Sequence, residues 1–238
     1  MPIVASASGE FTAYGISHWA AIAVFVAGAV LLVGLGRRQS PAQSRRFGRV
    51  VGAVTAAIYA VAVVYSMFPP SIERSVPLHL TDLATVVSAC AWWSQRHWAH
   101  ALMYYWGLVL SVQALISPAL RGPDFPHYQY LGFWFIHLVV VWGAVYLTWG
   151  RGIRPNWRSY RIAVAVTSAW MVVTFAFNRL TGSNYGFLNG KPSTGSLLDV
   201  LGPWPLYVVV GAVAVFVLWA LMTWPWTRAG RGHDSPAG

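Results

Sequence analysis

Of 238 residues, 57% are hydrophobic and 9% are charged, against about 25% charged in an ordinary soluble domain, which excludes a soluble globular protein. The net charge of +10 would suit nucleic acid. However, the basic residues sit in short connections between long apolar blocks, which is the pattern of membrane orientation, so no nucleic-acid partner is expected.

Mean hydropathy is positive, and the apolar residues come as blocks rather than as the roughly ten-residue alternating segments of a transmembrane barrel. The expectation is an all-α, polytopic membrane bundle of seven transmembrane helices. Spans are predicted near residues 17–36, 50–68, 78–95, 98–117, 131–149, 160–178 and 204–224, each close to the ~20 residues that cross a hydrocarbon core. Residues 1–16 read as an extracytoplasmic N-terminal segment, 17–224 as the transmembrane domain and 225–238 as a disordered cytoplasmic tail. The first basic residue, Arg37, follows the first apolar block, so no cleavable signal peptide is expected. The single cysteine, Cys90, excludes an intrachain disulfide.

Orientation follows from the arginines and lysines. Connections 37–49, 95–98 and 150–161, with the tail, hold twelve of them, Arg37 to Arg231, whereas Arg74, Arg121, Arg179 and Lys191 lie on the other side. Twelve against four places the N-terminus outside and the C-terminus in the cytoplasm, and an odd number of spans agrees. A multi-pass protein of the plasma membrane, in contact with membrane lipids, is the expected setting.

That topology gathers the unusual polar residues in the outer half of the bundle. His79, Thr81 and Asp82 open the third span, Gln113 closes the fourth, and His127 precedes the fifth, with His137 about two turns inside it. Asn178 ends the sixth span, and Trp204 starts the seventh. Ionisable groups in such places are costly without partners and mark a functional site by default. His18, His97 and His100 read as interface anchors beside Trp19 and Trp98. At 100° per residue, Thr81 and Cys90 point to opposite sides of their helix, and His79 shares a face with Asp82 rather than with Thr81. A base for the Thr81 hydroxyl must then come from another helix, and His137 is the natural choice. Gln113, Asn178 or the backbone would meet the oxyanion.

The ordered series Leu78-His79-Leu80-Thr81-Asp82-Leu83, Tyr105-Trp106-Gly107-Leu108, Gln113–Pro118, Phe125-Pro126-His127, His137, Asn178, Gly182–Leu188, Lys191-Pro192 and Leu198–Pro205 resembles bacterial membrane proteins of the YwaF type, related to the transmembrane protein 164 family. The resemblance runs from about residue 60 to 224. It implies an outward-facing site and lipid acyl chemistry, with Thr81 at the nucleophile position and His137 at the base position. His79 and Asp82 would orient the site, while Gln113, His127, Asn178, Asn184, Lys191 and Trp204 would bind substrate, with no cofactor. Many relatives read Leu-His-Leu-Cys-Asp where this chain has Thr81, so a hydroxyl stands in the place of a thiol.

Two other readings use the same residues. His79, Asp82, His127 and His137 could gather zinc, although no pair has a zinc-motif spacing. A transporter or binding protein for a small polar or lipid ligand would use the pocket without bond cleavage; no inverted repeat supports it. The arginine count itself is testable. With Cys90 removed, a cysteine placed within 37–49 should resist an impermeant thiol reagent in intact cells and react after lysis. Labelling in intact cells overturns the orientation.

Overall fold

The computed structural model describes residues 9–73, 75–192 and 196–229. It is all-helical, with seven main helices: α1 (Ile16–Arg38), α2 (Pro41–Ser66), α3 (Leu80–Ser94), α4 (His97–Ile116), α5 (Tyr128–Gly150), α6 (Trp157–Thr181) and α7 (Leu206–Ala229). Six are long and apolar enough to cross a membrane. The seventh, α3, has 15 residues, about 22 Å by helical rise. It packs against α2, α4 and α5.

Local chemistry fixes the ends. Ser40 and Gln43 form a reciprocal capping box and Pro41 opens α2, so this helix starts well before the expected residue 50. Most of the expected 37–49 connection is therefore helix, and Arg45, Arg46 and Arg49 lie on its first turns. The Asp82 carboxylate accepts the His79 N–H at 2.9 Å, placing a negative charge at the start of α3, where the helix dipole favours it. Gly182, at φ 75°, ends α6 in the left-handed conformation. At the other end of the chain, α7 continues through Pro225 to Ala229. Five residues of the segment expected to be tail are thus helical, and 230–238 lie outside the described residues.

The centre is packed by α3, α4 and α5. Trp92, Met103, Tyr105, Trp106, Val140, Tyr146 and Leu147 are almost completely buried, and Trp92 Nε1 donates to Val139 O at 3.1 Å. The three histidines expected as interface anchors do other work. His18 is fully buried. Its Nδ1 accepts the Tyr14 N–H at 2.8 Å, which leaves Nε2 to donate to Leu115 O at 2.8 Å. His100 is fully buried beside Thr148, 2.9 Å away, and His97 meets Ser159 at 3.0 Å. In hydrocarbon such groups look for partners within the protein, and the segment before α1 and the neighbouring helices supply them, except that His100 Nδ1 has none among the described residues. The segment before α1 is stitched to the α4–α5 connection by Phe11 N–H to Gly122 O and Asp124 N–H to Gly9 O, at 2.9 and 2.8 Å. Both therefore lie on one side of the bundle.

The closest helix pair is α2 with α3. A Cβ on Gly48 would stand 2.3 Å from Trp92 O, and one on Gly52 2.7 Å from Ala89 O. Glycines four apart let two backbones approach, as small residues do at membrane helix interfaces. Gly48→Ala should therefore force the helices apart and cost about 1–3 kcal/mol, the usual penalty of overpacking. Thermal unfolding in detergent reads it, with Gly34→Ala, which has open space around it, as the control.

Candidate functional site

Among α3 to α7, toward the ends where α3, α5 and α7 begin, lies a cavity of about 500 Å³. His79, Thr81, Gln113 and His137 all line it, together with Thr167, Trp170 and a largely apolar wall from α7. Each arrives by a separate local device. His79 caps α3 in an extended conformation, φ −64° and ψ 145°, so it escapes the helical spiral. This corrects the expectation that His79 and Thr81 diverge: both reach the cavity, whereas Asp82 does not line it. Gln113 follows a π-helical turn, Trp106–Ser111. Leu110, Gln113, Ala114 and Ser117 then share the cavity-facing side. Single π turns of this kind recur at functional sites.

Thr81 and His137 come from two helices that pack together. His137 is only 6% exposed, yet it borders the cavity. Among the described residues no hydrogen bond engages either ring nitrogen, the Thr81 hydroxyl or the Gln113 side-chain amide; the backbone carbonyls of Thr81 and Gln113 are engaged. No hydrogen bond joins Thr81 to His137. The Thr81 carbonyl is occupied by the Thr85 hydroxyl, at 2.7 Å. Thr85 and Ser88 are buried, and Cys90 is exposed on another side of α3, as the helical spacing requires.

The other predicted residues are placed elsewhere. Asp82 holds the His79 backbone, with the buried Tyr59 hydroxyl close by but outside hydrogen-bond geometry. His127 caps α5, its Nδ1 accepting the Gln129 N–H at 3.3 Å. Asn178 is buried with both ends of its amide in use: Nδ2 donates to Tyr185 O at 2.9 Å, and Oδ1 accepts from Tyr185 N–H and the Ser183 hydroxyl at 2.9 and 3.0 Å. Asn184 closes the turn to Gly190 in the same way. Lys191 sits 4.0 Å from the Asp199 carboxylate and over the Tyr207 ring. Trp204 Nε1 donates to Leu188 O at 3.0 Å. None of these six lines the cavity. Asn178, Asn184, Lys191 and Trp204 shape the α6–α7 connection, whose residues Gly186, Phe187, Leu188, Pro192, Ser196 and Leu198 wall the cavity. The four-residue zinc reading is not assembled either, since no three His, Cys, Asp or Glu side chains among the described residues gather as ligands.

That connection is seated from below. Trp170 Nε1 donates to Leu78 O at 2.9 Å, and Gly186, at φ 66°, lies so close that a Cβ would meet the Trp170 ring at 2.6 Å. Tyr185 is fully buried; burial raises its phenol above the ordinary pKa. It stays protonated, donating to Ile72 O and accepting the Val76 N–H at 2.9 and 3.1 Å. Thr167, Trp170, Tyr207 and the inner face of α7 went unread in the sequence, because a threonine, aromatic or aliphatic side chain facing a cavity looks like one facing lipid or a neighbouring helix. The only signal was the Gly182–Leu188 motif.

The model of the TMEM164 family matches residues 13–223. No curated protein and no solved structure matches the chain.

Asn178→Ala should release the Tyr185 backbone and cost about 1–3 kcal/mol, since it strands buried polar groups. The expected result is a lower melting temperature together with faster proteolysis between residues 182 and 192. An unchanged cleavage pattern would count against the loop's dependence on Asn178.

Proposed function

Because the chain belongs to the TMEM164 family, we propose that it is a lipid acyltransferase or ester hydrolase of the plasma membrane, with Thr81 as nucleophile and His137 as base. The observation that carries the reading is the meeting of Thr81, His137, His79 and Gln113 on one largely apolar cavity, with no hydrogen bond to the Thr81 hydroxyl, the His137 ring or the Gln113 amide among the described residues. A mostly apolar pocket with a few convergent polar groups is the usual form of a small-molecule site.

The chemistry runs in two steps. Thr81 Oγ1 attacks the carbonyl carbon of a lipid ester while His137 takes the hydroxyl proton, because a hydroxyl is a weak nucleophile until an adjacent base activates it. Gln113 donates to the developing oxyanion. Collapse breaks the ester bond, and the leaving alcohol departs with the proton returned by His137. The acyl group now sits on Thr81. Attack by water yields a fatty acid, and attack by a lipid hydroxyl yields a new ester; either way His137 accepts the attacking proton and returns it to Thr81. His79 lies over Tyr185, with ring centroids 4.8 Å apart, and borders the reacting groups. Asp82 is a positioning residue, acting through the His79 N–H. A bond tightened only in the substrate complex is common for catalytic pairs, so the unpaired state of Thr81 and His137 fits the free enzyme.

A fluorophosphonate probe should label Thr81 covalently, and Thr81→Ala should abolish the label. His137→Ala should slow labelling by about 100- to 10,000-fold, the range for a lost general base. Thr81→Cys should remain reactive, since a thiol is intrinsically more nucleophilic, while Cys90→Ala should change nothing. Undiminished labelling of Thr81→Ala overturns the covalent reading. No labelling of the wild type alongside ligand binding in the cavity is the signature of a binding or transport protein.

A further inference from the structure

The inner wall of the cavity is built by α7 with a regular period. Tyr207, Val208, Gly211, Ala212, Val215 and Phe216 line the cavity, while Val209, Val210, Val213, Ala214, Val217 and Leu218 are exposed on the opposite side. The wall is narrowest in side-chain bulk at its middle, at Gly211 and Ala212. A Cβ on Gly211 has only Leu201 within reach, at 3.6 Å. The far end is closed by rings. Phe216 packs on Trp219 with centroids 5.6 Å apart, and Trp219 packs on Tyr105 at 5.3 Å. Tyr105 is locked in turn by its hydroxyl contact with Thr223, at 2.6 Å.

Small residues along a helix usually mean close packing against another helix. Here they face open space. A second feature points to a ligand: His137, nine-tenths buried and without a hydrogen-bond partner among the described residues, borders the same space. The polar groups thus share one space with a face of α7 that is apolar from Val208 to Phe216. From Tyr207 to Phe216 the wall runs on the order of 13 Å by helical rise.

We propose that the acyl tail lies along this face of α7, that Gly211 and Ala212 are the specificity-determining residues for its length, and that the Phe216–Trp219–Tyr105 stack is the stop at its end. The proposal rests on the acyl-transfer reading for its chemistry, but the tail path is a separate claim about binding. Each buried methylene strengthens binding by about fourfold until the channel is full, following the transfer free energy of a CH₂ group. A bulky side chain at 211 fills the middle of the channel and leaves room only for short chains.

Two arms test this on the full chain in nanodiscs. In the first, alkyl fluorophosphonates of graded length label Thr81. The wild-type rate should rise about fourfold per methylene and then level off, whereas Gly211→Leu should level off several carbons earlier. Ala214→Leu, on the lipid-facing side, should match the wild type. In the second arm, fatty acids carrying a terminal diazirine are photolysed on Thr81→Ala protein, which needs no covalent chemistry. The adducts of longer acids should map to Val215 and Phe216 and should disappear in Gly211→Leu/Thr81→Ala. If the first arm gives no label but the second maps to α7, the covalent reading fails and the tail path stands. An identical length profile in wild type and Gly211→Leu, or adducts confined to lipid-facing residues, overturns the tail path.

Discussion

A polar group buried inside a membrane bundle must find its partner in the same chain, because hydrocarbon offers none. Most of this structure follows from how that demand is met. His18 uses both ring nitrogens, on Tyr14 and Leu115, tying α1 to the end of α4. Asn178 spends its whole amide on Ser183 and Tyr185, fixing the start of the α6–α7 connection. Trp170 and Tyr185 carry that connection across to the residues leading into α3. Some buried polar atoms, His100 Nδ1 and Trp219 Nε1 among them, have no partner among the described residues, but those at the cavity differ in bordering open space. Thr81, His137 and Gln113 are in hydrogen-bonding environments that the protein leaves open, and a ligand is what such an opening accommodates.

The wall opposite the reactive groups depends on a different balance. The C-terminal end of α7 is anchored by Tyr105 with Thr223 and by Trp226 with Tyr104, at 2.6 and 3.2 Å. Its N-terminal end is held through the connection, where the Tyr207 hydroxyl donates to Phe187 O at 2.5 Å. Between those anchors Gly211 and Ala212 leave the middle of its inward face small, before Phe216 and Trp219 pack back toward Tyr105 of α4. The cavity is therefore a consequence of pinning a helix at both ends while denying its middle the bulk to pack.

How much of this was readable in the sequence depends on what marks a residue as unusual. The helices were legible because apolar blocks separated by arginines leave little choice. The start of α2 was missed by nine residues, since its arginines masked a capping box, Ser40 to Gln43, that was present in the sequence. At the site, His79, Thr81, Gln113 and His137 were found as polar exceptions in apolar surroundings. Asn178, Asn184, Lys191 and Trp204 are exceptions of the same sort, but the connection uses them internally. Sequence does not distinguish a polar group that serves the fold from one left open to a ligand. The α7 wall was illegible for the converse reason: Gly211 and Ala212 are ordinary in a membrane helix, and only their burial pattern separates the cavity face from the lipid face.

The position of Thr81 joins these points. A threonine one residue inside the helix, with its carbonyl taken by Thr85 and its hydroxyl free, is held rigidly by backbone pairing alone. Its neighbour His79 reaches the same cavity only because the cap residue leaves the helical spiral, and the Asp82 carboxylate on the cap N–H keeps it there. The carboxylate thus contributes geometry while remaining outside the cavity. An ionised group lining an apolar channel would itself need a partner, whereas one turned to the helix start is satisfied by the N–H and the dipole. The motif His79-Leu80-Thr81-Asp82 therefore divides its labour by backbone conformation: the extended residue and the first helical turn face the cavity, and the charge that holds them in place faces away.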